Sequence, residues 1–152
     1  WRRGDAHRRL NRGDARCGLE LLDEAVRRLP GNPWVWHDLG CAYACLNWLP
    51  EAAQALAYAA RLGPDEFWMW YDLAAVSRKR NRGFDALQQL DRAVKCPGAA
   101  AHASLAAVLR AEVLLDLKER ETALAVLGKA LAEDPTHLEL RDFLARVQRG
   151  GR

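Results

Sequence analysis

At 152 residues, 50% hydrophobic and 28% charged, the chain has the composition of a globular protein and enough apolar mass for one domain or a compact repeat array. No apolar run approaches the ~18–20 residues a membrane helix needs, and Trp1-Arg2-Arg3-Gly4-Asp5 lacks the apolar centre of a signal peptide. A net charge of +3, from 23 Lys and Arg against 20 Asp and Glu, is too mild to indicate nucleic acid. Four cysteines (Cys17, Cys41, Cys45, Cys96) are too few for a disulfide framework and read as reduced thiols of a cytoplasmic protein. The only methionine is Met69, so the chain is expected to be trimmed or part of something longer. Abundant Arg and Ala with little Lys suggest a GC-rich, bacterial origin.

In chain order, hydrophobic spacing predicts helices over 2–11, 14–29, 33–46, 50–62, 65–80, 83–95, 101–117, 119–132 and 136–148. Pro30, Pro64 and Pro135 each follow a helix and stop it, because proline cannot continue one. Pro50 falls in a first turn, where its missing N–H is harmless. Gly13 and Gly83 are expected in turns between paired helices. The last segment alternates Leu138, Leu140, Phe143, Leu144 and Val147 with charged residues, the pattern of a terminal capping helix.

These elements repeat. In the set Trp36, Leu39, Gly40, Tyr43, Ala52, Leu56, Ala59 and Pro64, six recur about 34 residues on as Trp70, Leu73, Ala74, Ala86, Leu90 and Ala93, while Ser77 replaces the aromatic Tyr43. Shifted backward, the set meets Leu22, Ala25 and Pro30. After a few extra residues around Pro97-Gly98-Ala99, it meets Ala123, Leu127, Ala130 and Pro135. In this last copy Ala107 stands in the Trp place and Arg110 in the Leu place. Small residues at Gly40, Ala74 and Ala111, facing Ala52, Ala86 and Ala123, let paired helices approach closely.

The pattern resembles the tetratricopeptide repeat (TPR) family over nearly the whole chain. The resemblance implies an all-α, right-handed solenoid of antiparallel helix pairs. It divides the chain into one array over 1–149: a truncated repeat 1–32, repeats 33–66, 67–100 and 104–137, and a capping helix 138–149. Residues 150–152 follow as a frayed tail.

The resemblance further implies that the first helices of the pairs line a groove that takes a peptide or helix from another protein. Its groove positions fall here on Trp34, His37, Asp38, Cys41 and Cys45; on Trp68, Tyr71, Asp72, Ala75, Arg78 and Lys79; and on Leu105, Val108, Leu109, Glu112, Leu115 and Asp116, with Glu139, Asp142 and Arg146 from the cap. Trp34, Trp68 and Tyr71 are candidate anchors beside the packing residues Trp36 and Trp70. Carboxylates outnumber cations in the set, so the expected partner segment is apolar and basic. The subset of the family that grips a C-terminal carboxylate with Lys, Asn and Arg is not matched. His37, Cys41, Asp38, Trp68 and Asp72 hold those places, and two of them would repel a carboxylate.

Other constellations carry less. His37, Cys41 and Cys45 are spaced four apart on one helix face, but the outer two are ~12 Å apart along the axis. One ion cannot take all three, and a pair needs a ligand such as Asp72 from the neighbouring helix. With no standard zinc spacing, no metal or other cofactor is expected. No nucleophile with a partnered base, Gly-rich phosphate loop or His-Glu-x-x-His motif is present, so the chain is read as no enzyme. Arg78-Lys79-Arg80-Asn81-Arg82 and the arginines at 2, 3, 8, 9, 12 and 16 leave an RNA-contacting repeat as a minor alternative, and no membrane partner is expected. The leading expectation is an interaction module, scaffold or adaptor. A chaperone for a secreted cargo is the second.

Overall fold

The computed structural model describes residues 15–150, among which there are eight α-helices and no strand. They are α1 (Ala15–Arg28), α2 (Pro33–Cys45), α3 (Leu49–Leu62), α4 (Phe67–Lys79), α5 (Gly83–Val94), α6 (Ala103–Asp116), α7 (Arg120–Glu133) and α8 (Leu138–Gln148), with a 3-10 turn over Ala99–His102. The helix expected at 2–11, Gly13 and the arginines at 2, 3, 8, 9 and 12 lie outside the described residues, as do Gly151 and Arg152. Each helix packs on its neighbours in sequence, α2 on α3, α4 on α5 and α6 on α7 most extensively, giving an all-α solenoid of antiparallel pairs. No described helix is long and apolar enough to cross a membrane.

Local chemistry sets the helix ends. The Asn32 side chain accepts from Trp34 N at 2.9 Å and Pro33 opens α2, satisfying one of the free donors of the first turn. Pro50 sits in the first turn of α3, as its missing donor allows. Inside each pair the chain reverses through one left-handed residue: Asn47 (φ 60°), Asn81 (φ 59°) and Lys118 (φ 65°). The amide that follows each reaches back to close the preceding helix: Trp48 to Tyr43 O at 2.9 Å, Arg82 to Ser77 O at 2.9 Å and Glu119 to Leu114 O at 2.8 Å. Gly83 is therefore not the turn residue. It opens α5, and a Cβ there would stand 2.9 Å from Leu117 Cδ2, so its smallness serves packing against the next pair.

The core repeats with the sequence. Leu22, Leu56, Leu90 and Leu127 have no exposed surface, nor have Ala52, Ala74, Ala86, Ala111 and Ala123. Each such leucine contributes about 1.5–3 kcal/mol relative to exposure. Trp36 and Trp70 each donate Nε1–H to the carbonyl of a proline six residues earlier, Pro30 and Pro64, at 2.9 Å. In α8 the equivalent place is held by Arg141, whose guanidinium donates to Pro135 O, also at 2.9 Å. The third copy has Ala107 there, and a shallow concavity of about 350 Å³ lies beside it, walled by Val94, Ala103, Val126 and Ala130. Arg110, in the leucine place, reaches outward to Asp91 at 2.7 Å. The copies fall out of step at Gly98 (φ 76°) and the 3-10 turn after it.

Candidate interaction face

The first helices of successive pairs touch directly, α2 with α4 and α4 with α6, so their inward positions form one face. On α2, Trp34 is half-buried and sets its ring edge-on to His37 at 5.5 Å. His37 and Asp38 are buried, Asp38 at 1% exposure, so neither lies on the open surface expected for it. The register places them beside the groove, but the His37 side chain turns into the joint between α2 and α4, and Asp38 is buried next to it. There the His37 Nε2–H donates to Asp72 Oδ2 at 2.5 Å, and Nδ1 lies 3.6 Å from Asp38 Oδ1. Burial disfavours charge on His37, but bonding to Asp38, Asp72 and Cys41 outweighs it and pushes the pKa up to about 11. Burial pushes the Cys41 thiol up, with the His37 interaction working the other way. Cys45 is exposed, one turn beyond this group.

On α4, Trp68 and Tyr71 are half-buried and belong to a cluster of rings. Trp68 meets Tyr71 at 5.6 Å and His102 at 4.7 Å, and Phe67 lies beneath all three. These rings fill the seam between α4 and the 3-10 turn, so packing and surface display share the same atoms. Ser77, in the aromatic place, is buried and donates to Gln89 Oε1 at 2.7 Å.

Farther along the face, Arg78 reaches across to α6. It donates to Asp116 Oδ2 at 2.7 Å and pairs with Glu112 as well. Burial opposes its charge, and the two carboxylates hold it firmly protonated. Arg78, Glu112 and Asp116 line one wall of an open concavity of about 650 Å³ between α4, α6 and α8. Val108, Leu115 and Phe143 supply apolar lining, and Glu139, Asp142 and Arg146 complete it. The Arg146 guanidinium lies 5.3 Å from the Phe143 ring centre.

The architecture superposes on solved helical-repeat proteins. A thermophilic TPR protein of Thermus thermophilus matches with a TM-score of 0.78 and 24% identity, covering 94% of this chain and 77% of that one. MamA of Desulfovibrio magneticus RS-1 matches with a TM-score of 0.78 and 26% identity, covering 95% and 80%. Nearly identical TPR-like repeats from Podosopora anserina match with a TM-score of 0.80 and 16% identity, covering 97% and 84%. The chain has the tetratricopeptide-repeat fold. No protein-family model matches the sequence, and no curated protein matches it.

Stacked helix pairs of this kind present an extended concave surface. Two features of the face escaped sequence reasoning. Arg78 looked like one cation of a basic run, yet it is bound to Glu112 and Asp116 one repeat on; their separation of about one period was the available signal. Asp38 looked like a groove carboxylate and is instead the buried partner of His37. The TPR carboxylate-gripping arrangement has no free cation at His37, because Asp72 and Asp38 already neutralise it.

Proposed function

We propose that this TPR array is a non-catalytic interaction module that takes a partner segment bearing basic and apolar side chains on the face formed by its first helices. The observation that carries the reading is the concavity between α4, α6 and α8. Glu112, Asp116, Glu139 and Asp142 outnumber Arg78 and Arg146 there, over apolar lining. Arg78 already answers Glu112 and Asp116, so Glu139 and Asp142, both exposed, are the carboxylates offered to a partner. A basic side chain entering between them gains charge-assisted hydrogen bonds while its stem lies on Leu115 and Phe143. Trp34, Cys41, Trp68, Tyr71 and Asp72 extend the proposed face toward α2, with His37 and Asp38 buried behind them.

Fluorescence anisotropy with labelled Leu/Arg and Leu/Glu peptides tests this. The basic peptide is expected to bind more tightly, and Glu139→Lys with Asp142→Lys to weaken it about tenfold or more. Equal binding of the two peptides, or no response to the double charge reversal, would sink the reading. Glu139 and Asp142 are the better probes, since alanine at Trp68 or Tyr71 would also disturb the packed rings.

A further inference from the structure

The joint between α2 and α4 gathers three metal-binding side chains of different chemistry. His37 and Cys41, one turn apart on α2, share a face. Asp72 comes from α4, so the group spans two successive pairs. One ligand atom from each lies within 4.8 Å of the others. Cys41 Sγ is 3.7 Å from His37 Nε2 and 3.9 Å from Asp72 Oδ2, while Nε2 and Oδ2 are 2.5 Å apart.

We infer that His37 Nε2, Cys41 Sγ and Asp72 Oδ2 form a three-ligand site for a divalent zinc-like ion, with its fourth position open. A tetrahedral ion bound at ~2.0 Å to N and O and ~2.3 Å to S sets its ligands about 3.3 Å (N to O) and about 3.6 Å (to S) apart. The two distances to sulfur are already near that value. Only the His37–Asp72 contact must open, by about 0.8 Å on the same bond lengths. Asp72 has room to move, since 28% of its side chain is exposed.

The surroundings fit. Asp38 lies 3.6 Å from Nδ1, the ring nitrogen left over when Nε2 binds metal. A carboxylate there commonly orients a ligating histidine and raises its basicity. In the metal-free chain a proton between His37 and Asp72 occupies the place of the cation. Binding M²⁺ releases that proton and the Cys41 thiol proton, so a dication joins three ligands of which two are anionic. Cys41 and Asp72 are both partly exposed, which leaves the fourth position to water or to a side chain of a bound segment. Cys45 is not part of the set.

The site is tested on the isolated chain, without any partner, so its failure is distinct from failure of the peptide reading. Chelator-treated protein is titrated with Co²⁺ and followed by visible and near-ultraviolet absorption. One Co²⁺ per chain is expected, with tetrahedral d–d bands and a thiolate-to-cobalt charge-transfer band, all displaced by Zn²⁺. Cys41→Ser, nearly isosteric, should remove the charge-transfer band. Asp72→Asn should weaken binding, and Asp38→Asn should weaken it about tenfold. A Cys17→Ser/Cys45→Ser variant should bind as the parent does. Circular dichroism checks that each variant remains helical. Absence of saturable binding in the folded parent overturns the inference, as does a charge-transfer band that survives in Cys41→Ser or vanishes in Cys17→Ser/Cys45→Ser.

Discussion

Gly40 lies directly against Leu56: a Cβ on Gly40 would stand 2.5 Å from Leu56 Cγ and 3.2 Å from the Leu56 backbone nitrogen. This close approach between α2 and α3 exists because no side chain intervenes. Gly40→Ala adds helix propensity of about 1 kcal/mol but forces Leu56, which has no free surface around it, to shift. Overpacking of this kind costs about 1–3 kcal/mol and wins. The variant should unfold at lower urea concentration, whereas Gly31→Ala, with nothing within 4 Å, should stay within about 0.5 kcal/mol of the parent.

Lys118 offers the opposite case. Its φ of 65° is a left-handed conformation that costs an L-residue with a Cβ roughly 1–2 kcal/mol. Glycine carries no such strain but loses more freedom on folding. Lys118→Gly should therefore raise stability by about 0.5–1 kcal/mol, read as a rise in melting temperature, and Lys118→Val should lower it. The same pair at Asn81 should show a smaller gain from glycine, since asparagine already tolerates this turn.

Leu90 is fully buried in the central cluster with Ala74, Ala86, Leu109 and Val113. Leu90→Ala should cost about 2–5 kcal/mol. Repeat arrays are held by neighbour contacts, so the loss should spread to both adjoining pairs. Hydrogen exchange should show amides in α3 and α6, as well as in α4, opening earlier than in the parent. Loss of protection confined to α5 would contradict this.

The thiols should separate by environment. Cys45 is exposed, whereas Cys96 is buried and its pKa is pushed up by that burial and by the nearby Asp65 and Glu66. Since the thiolate is the reactive form, iodoacetamide at mildly alkaline pH should label Cys45 well ahead of Cys96. Peptide mapping over a time course reads this directly.

Much of the fold was legible because a TPR-like array writes its packing in a fixed period. Leu22, Leu56 and Leu90 recur at one interval, and each fills an equivalent gap. Helix stops at Pro30, Pro64 and Pro135 were readable for the same local reason. Sequence alone points to Gly83 for the turn that Asn81 makes, since both residue types suit turns and only the backbone shows which one carries the positive φ. The face was less legible. Period alone placed His37 and Asp38 beside the groove, but whether a side chain turns outward or into the joint depends on what the next helix presents. Here it presents Asp72, which draws His37 inward.

The joint after α5 carries a further consequence. Three left-handed turns mark the same point in three pairs, and the last arrives about three residues late, the excess being taken up by Pro97, Gly98 and the short 3-10 turn. The pairs on either side still dock, because matching side-chain surfaces, not tether length, align them. Lengthening a surface tether costs little entropy. This joint is thus the natural place to splice in a reporter domain or an affinity tag without disturbing the modules it connects.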